Sequence, residues 1–90
     1  MCLGIPVQIK SITDPDKMLA LAEVKGVRRE INVTLVSEPA EPLEALIGRW
    51  VLLHVGFAVS RIDEDEARIT LELLAETGAV EEELAAMVPQ

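Results

Sequence analysis

Two side chains of this sequence are suited to chemistry at neutral pH: Cys2, the only cysteine, and His54, the only histidine. A cysteine thiol and a chain-terminal amine both titrate near about 8, so if Met1 is removed either group can lose its proton to bind a metal or an electrophile. An imidazole changes its charge close to neutrality and is a common metal ligand. Because chain ends are usually exposed, we expect Cys2 to be presented rather than buried.

Both residues also have a purely structural interpretation. A free cysteine often behaves as a small hydrophobic residue of a core, and a lone histidine in an apolar strand is often a satisfied structural residue. His54 lies in such a strand, where Val51 and Leu53 alternate with Trp50 and Leu52. From these residues alone, the structural and the functional interpretations both stay open.

Few residues of the sequence are suited to catalysis. It contains no phosphate-binding glycine loop, no HExxH motif and no paired CxxC motif. A Cys2–His54 pair could support acyl transfer or redox chemistry, but no third residue that would orient the histidine is evident. We therefore predict an accessory protein that is not an enzyme, and the alternative is a small Cys-His thiol enzyme or redox protein.

The net charge of −8 belongs to one part of the chain. Residues 1–62 carry seven acidic and seven basic side chains, whereas residues 63–90 carry nine acidic side chains and a single basic one, Arg68. An acidic chain repels a phosphate backbone, so we predict no nucleic-acid partner despite a small basic cluster of Lys25, Arg28 and Arg29. The acidic third is expected to keep the protein soluble or, alternatively, to steer docking onto a basic partner.

Length and composition bound the architecture and the compartment. Ninety residues are enough for one domain. No apolar run approaches the roughly 20 residues that span a bilayer, and the first residues lack the basic-then-apolar order of a signal peptide. A single unpaired cysteine fits a reducing compartment. We predict a cytoplasmic protein with no membrane partner.

Alternating apolar and polar residues predict five strands, over residues 5–12, 18–24, 27–36, 49–55 and 57–62. Turn chemistry separates the first three, with Asp14-Pro15-Asp16 at one turn and Lys25-Gly26 at the next. A loop rich in proline and glutamate follows, in which residues 43–47 could hold a helical turn. Gly56 is predicted to form a break or a bulge.

The period changes to that of a helix after residue 62. Asp63 and Glu66 have the spacing of a capping box, and the acidic run over residues 63–66 fits a helix N-terminus better than a metal site. Gly78 is expected to end this helix, and a second short helix is predicted over residues 80–88. One face of the first helix is apolar and consists of Ala67, Thr70, Leu71, Leu74 and Ala75.

The order of these elements predicts a mainly β protein. Five short strands and a terminal α-helix are typical of a small barrel of the oligonucleotide-binding (OB) fold type. Residues 1–62 are expected to form the barrel with Cys2 at its N-terminal tip. Residues 63–90 are expected to form a helical segment that packs on the barrel or extends from it, all within one domain.

Two stretches of the sequence resemble the HypC/HupF family of hydrogenase maturation chaperones. The first is MCLGIPVQI at residues 1–9, and the second is GRWVLLHVGFAVSRIDE at residues 48–64, with a Gly-Val-Arg-Arg turn and strand between them. One position departs from the usual family pattern, because Val7 stands where the family usually has glycine. The match covers nearly the whole chain, and the two motifs together are highly specific.

The resemblance implies a five-stranded barrel with a C-terminal helix that helps assemble the Fe(CN)2CO half of the nickel–iron hydrogenase active site. The implied partners are HypD, the hydrogenase large-subunit precursor and, in a HypC–HypD–HypE complex, HypE. Iron would be held transiently, with Cys2 as its ligand and His54 as a second ligand or orienting group. The residues expected to bind partners are Cys2, Leu3, Gly4, Ile5, Pro6, His54, Gly56 and Phe57.

Overall fold

Strand positions in the protein follow the alternation of apolar and polar residues. The computed structural model describes residues 4–75, which form the strands β1 (Ile5–Asp14), β2 (Leu19–Val24), β3 (Val27–Asn32), β4 (Trp50–His54) and β5 (Phe57–Ile62), and the helix α1 (Glu64–Ala75). Two 3₁₀ turns, Thr34–Val36 and Leu43–Leu46, lie between β3 and β4. The predictions for Cys2, Leu3, Gly78 and residues 80–88 concern positions outside the described residues.

The five strands close into a barrel in the order β1-β2-β3-β5-β4, and β4 pairs back onto β1. Neighbouring strands are antiparallel except for β3 and β5, which run parallel and pair at a single position, Asn32 with Phe57. This is the arrangement of a five-stranded OB-like barrel. The predicted mainly β fold with a C-terminal helix is therefore confirmed.

The barrel interior is aliphatic. Each 3₁₀ turn adds one buried side chain to the interior, Val36 from the first and Leu46 from the second. The two aromatic residues lie outside this core, because Trp50 is half-buried and Phe57 is exposed. Burying one such aliphatic side chain stabilises the fold by about 1.5–3 kcal/mol. The inward strand positions that form most of this core are Ile5, Val7, Ile9, Ala20, Ala22, Val24, Ile31, Val51, Leu53 and Ala58.

β3 is shorter than predicted. The sequence pattern extends it to residue 36, with Leu35 on the same face as Val27 and Ile31, but the strand ends at Asn32 and Leu35 is 65% exposed. The Asn32 side-chain oxygen accepts a hydrogen bond from the Thr34 amide at 2.9 Å. Such a local bond offers the backbone an alternative to the sheet ladder, so the chain turns away although the apolar alternation continues.

The strands contain two irregularities. β1 extends to Asp14, and its register with β2 shifts at two places near Ile12, which is where the alternation in the sequence breaks down. Gly56 is the predicted break, as the second residue of the tight turn between β4 and β5. The bulge lies in β5 instead, where Val59 is the extra residue opposite β4.

Arg61 of β5 holds the long loop between β3 and β4 against the barrel. Its Nε donates a hydrogen bond to the Val36 carbonyl at 2.9 Å, and its Nη2 donates to the Glu41 carboxylate at 2.8 Å. Both side chains of the ion pair are partly buried, with Arg61 27% exposed and Glu41 33% exposed. A charge-assisted pair that is partly shielded from water stabilises the fold more than an exposed pair does.

The helix α1 packs across the outside of the barrel and contacts β1 and β4. It begins after Asp63, whose Oδ1 accepts a hydrogen bond from the Glu66 amide at 2.7 Å, as the N-cap prediction requires. On the predicted apolar face, Ala67 and Leu74 are buried, whereas Ala75 is exposed. Within residues 4–75, no helix is long and apolar enough to cross a membrane.

Candidate functional site

Strand directions bring most of the predicted site residues to one end of the barrel. β2 and β4 run opposite to β1, β3 and β5. This end of the barrel therefore contains the first residues of β1, β3 and β5 and the last residues of β2 and β4. It therefore includes Gly4 before β1, the turn at Lys25-Gly26 and the turn at Val55-Gly56. We call it the hairpin end of the barrel.

The turn between β4 and β5 contributes three of the predicted residues. His54 and Phe57 are directly paired across the two strands, and Gly56 lies between them in the turn. Val55 and Gly56 have φ values of 49° and 86°, the positive pair that a type I′ hairpin turn requires. Phe57 is 49% exposed and Val55 is 56% exposed, so the tip of this hairpin presents apolar surface to solvent.

His54 lies on the outer face of the barrel and is half-buried. Its position follows from β4, in which Val51 and Leu53 point into the core and leave Trp50, Leu52 and His54 on the other face. The Nδ1 atom of the ring is buried. The backbone of β4 thus fixes the ring at the hairpin end, close to the start of β1.

Gly4 can lie close to β4 because it has no side chain. β1 pairs with β4 from Ile5 with Leu53 onward, so Gly4 is next in register to His54. A Cβ atom at Gly4 would lie 2.8 Å from the Cβ atom of Leu52, which is too close for any side chain to fit without movement of the backbone. Glycine therefore allows the start of β1 to lie against β4 at this point.

Ile5 and Pro6 are placed differently from the other predicted partner-binding residues. Both are almost completely buried, Ile5 in the barrel core and Pro6 on the other face of β1. They position the chain beside Gly4 but offer a partner almost no surface in this arrangement. Gly4, His54 and Gly56 are half-buried, which leaves Phe57 as the most exposed predicted residue that the structure describes.

The described residues do not form a complete metal site. Nowhere in residues 4–75 do three His, Cys, Asp or Glu side chains come together as a metal would require. His54 could supply one ligand, and Cys2, the other predicted ligand, lies outside the described range. A thiolate and an imidazole are both ligands for transition metals such as iron.

A patch of paired charges lies on the outer surface of β1, β2 and β3. Glu23 accepts a hydrogen bond from Arg28 Nε at 2.9 Å, and Lys10 Nζ lies 3.7 Å from the Glu23 carboxylate. The Arg28 guanidinium, with a smaller contribution from Lys10, holds the pKa of the Glu23 carboxyl below its usual range. Lys25 and Arg29 add two further positive charges at this hairpin.

Sequence reasoning missed two residues of the hairpin end. Val55 is expected to continue β4, yet it lies in the turn with a positive φ that β-branched residues rarely adopt. The alternation of the predicted third strand places Arg29 on the same face as Val27 and Ile31, but it does not predict that the charged Nε is buried, as it is in the structure. A Val-Gly pair carries no local signal for a positive φ at the valine.

Comparison with known proteins gives a consistent result. The family model described as "HupF/HypC family" matches residues 1–74. The chain is similar to the hydrogenase maturation factor HypC of Rhodobacter capsulatus, with 58% identity over 97% of this chain and 88% of that protein. It is also similar to the Escherichia coli K12 hydrogenase maturation factors HybG, with 47% identity over 82% of this chain and 88% of that protein, and HypC, with 42% identity over 98% and 94%. The chain belongs to the HupF/HypC family.

Proposed function

We propose that this chain is a non-enzymatic accessory protein of nickel–iron hydrogenase maturation in the cytoplasm. It helps assemble an Fe(CN)2CO centre on HypD, in a complex that can include HypE, and delivers it to the hydrogenase large-subunit precursor. The observation that carries this proposal is the family match over residues 1–74 to relatives named as hydrogenase maturation factors. The geometry of the hairpin end supports it.

Cys2 is the residue that would contact the iron centre. It is joined to Gly4 through one intervening residue, and two residues of chain span at most about 7 Å. Gly4 is next in register to His54, so the length of the chain allows the thiol to reach the imidazole. Low-spin iron with cyanide and carbonyl ligands is a soft centre that a thiolate suits well.

Transfer between two proteins requires reversible binding more than a closed metal cage. The described part of the hairpin end offers one imidazole and no preformed metal cluster, which fits a carrier that shares its cargo with a partner. The exposed apolar side chains of Val55 and Phe57 lie next to His54. A partner that covers them would shield the iron centre from water while it passes between the proteins.

Replacement of Cys2 by alanine tests the proposal. We expect Cys2→Ala to fold normally but to lose stable copurification with HypD and with the large-subunit precursor, because the thiol would be the main contact to the centre. Ser11→Ala, a conservative change on the same N-terminal strand, serves as the matched control and should bind both partners. Native mass spectrometry of the wild type should show an iron–diatomic adduct that the Cys2→Ala variant lacks.

The opposite result is equally clear. If Cys2→Ala copurified with both partners as the wild type does and restored full hydrogenase activity to cells that lack this protein, the proposed role of the thiol would be wrong. Turnover of thioester or disulfide substrates by the isolated protein would instead identify a thiol enzyme.

A further inference from the structure

β3 has one edge that the barrel leaves largely unpaired. On one side, all six residues of β3 pair with β2, from Val27 with Val24 to Asn32 with Leu19. On the other side, β3 pairs with β5 only at Asn32, opposite Phe57. Because β5 begins at this position, the first part of β3 extends beyond the tip of the β4–β5 hairpin.

The hydrogen-bonding groups of this edge can be assigned from the register. A two-residue turn at Lys25-Gly26 makes its flanking residues a hydrogen-bonded pair, so Val27, Arg29 and Ile31 bond to β2. The N–H and C=O groups of Arg28 and Glu30 then point the other way. The Asn32 amide, two residues further on, points in the same direction and donates to the Gly56 carbonyl at 2.9 Å.

Among the described residues, no backbone group pairs with Arg28 or Glu30 on this side. Within residues 4–75, one hydrogen bond is made there, from Arg29 Nη1 to the Arg28 carbonyl at 2.8 Å. The guanidinium therefore lies along the open edge. Its Nε atom is buried and has no hydrogen-bond acceptor within residues 4–75, although buried polar groups normally have one.

The edge is surrounded by more basic than acidic side chains: Lys25, Arg28 and Arg29 against Glu23 and Glu30. Lys25, Arg28 and Glu30 are exposed, and Arg29 is half-buried with its guanidinium bonded to the Arg28 carbonyl. Glu23 neutralises Arg28 in part, through the hydrogen bond to its Nε. An added strand that carried a carboxylate near Arg29 would supply an acceptor for the guanidinium, and its backbone would supply partners for Arg28 and Glu30.

We propose that the open edge of β3 at residues 28–30 binds an extended, acidic segment of a protein partner as an additional strand. The inference relies on the proposed function only for the choice of partner, HypD or the large-subunit precursor. In the free protein, the charged Arg29 side chain over the edge discourages pairing between copies of the chain, as charged residues do at other sheet edges. In the complex, the same side chain binds the carboxylate of the incoming strand.

Two substitutions at Glu30 distinguish the contribution of its backbone N–H to partner binding from that of its side chain. Glu30→Pro removes the N–H that points to the open edge, and it leaves the bonds to β2 intact because Glu30 makes none of them. Glu30→Ala removes the carboxylate but keeps the N–H. We expect Glu30→Pro to weaken binding to the partner by about tenfold or more, because an acceptor of the added strand is left unpaired. Glu30→Ala should bind at least as tightly as the wild type.

Hydrogen exchange of the wild-type amides provides an independent measurement that does not depend on the folding of a variant. The labelled chain would be followed by NMR, alone and in separate complexes with HypD and with the large-subunit precursor. We expect the Arg28 and Glu30 amides to exchange rapidly in the free protein and at least tenfold more slowly in one of the two complexes.

Three results would overturn the inference. Fast exchange of both amides in both complexes, with normal binding by Glu30→Pro, would show that this edge is not used, while the proposed function would stand. Slow exchange in the free protein would show that the edge is already paired. The pairing would be with a second copy of the chain if the exchange rate depended on protein concentration, and with the chain itself if it did not. Failure of the wild type to bind either partner would contradict the proposed function as well.

Discussion

Replacement of Val55 by asparagine is expected to stabilise the protein. Val55 and Gly56 have φ values of 49° and 86° in the turn between β4 and β5. A left-handed conformation costs an ordinary L-residue about 1–2 kcal/mol, and β-branched residues are rarely found there. Asparagine adopts it readily, and Asn-Gly is a preferred pair for this type of turn.

The size of the gain follows from what the substitution leaves unchanged. Val55 is 56% exposed, so its removal exposes little additional apolar surface. We expect Val55→Asn to raise the free energy of unfolding by about 1 kcal/mol, which corresponds to a rise in Tm of about 4–8 °C for a domain of this size. Urea denaturation and differential scanning calorimetry would measure the two quantities.

The second tight turn provides a matched control. Lys25 and Gly26 have φ values of 51° and 79°, almost the same backbone geometry, but lysine is not β-branched. Lys25→Asn should therefore stabilise the protein by less than Val55→Asn does. If the two substitutions gave equal gains, or if Val55→Asn destabilised the protein, the reasoning from β-branched strain would be refuted.

Three further predictions concern the core, the long loop and the surface charges. Leu53→Ala should lower the free energy of unfolding by about 2–5 kcal/mol, because Leu53 is only 1% exposed. Leu35 is 65% exposed, so Leu35→Ala should change this free energy by less than about 0.5 kcal/mol. Urea denaturation of both variants would measure the difference. Arg61→Met should release the loop over residues 37–47 and speed its proteolysis, while Arg68→Met, which removes an exposed helix pair, should not. The pKa of Glu23 is lower in the folded state than in the unfolded state, so its ion pairs stabilise the fold above the unfolded-state pKa. This stabilisation is lost as the pH falls through the folded-state pKa. In Glu23→Gln, the free energy of unfolding, measured by denaturation at several pH values, should therefore fall less between neutral and acidic pH than it does in the wild type.

Much of the fold could be predicted from the sequence because its signals are local. Alternation of residue types predicts β5 with its exact bounds, and Lys25-Gly26 is a recognisable hairpin turn. Asp63 is a recognisable N-cap, and its hydrogen bond to the Glu66 amide confirms it. The end of β3 could not be predicted, because Asn32 stops the strand through its own side chain while the apolar pattern continues.

The arrangement of the hairpin end depends on contacts between distant parts of the chain. The proximity of Gly4 to His54 follows from the pairing of β1 with β4, which no local pattern specifies. The close approach of Gly4 to Leu52 likewise becomes apparent only when the two backbones are placed side by side. Cys2 could be singled out from its residue type and its place near the chain end, but its surroundings could not.

The pairing of β1 with both β2 and β4 has a consequence for the order of folding. β2 follows β1 directly in sequence, whereas Ile5 pairs with Leu53 across more than half of the chain. During synthesis, β1, β2 and β3 can form a meander early, but β1 must wait for β4 before its first residues are held. The start of β1 is therefore among the last parts of the barrel to be fixed, so a nascent or partly folded chain would not yet hold Gly4 beside His54.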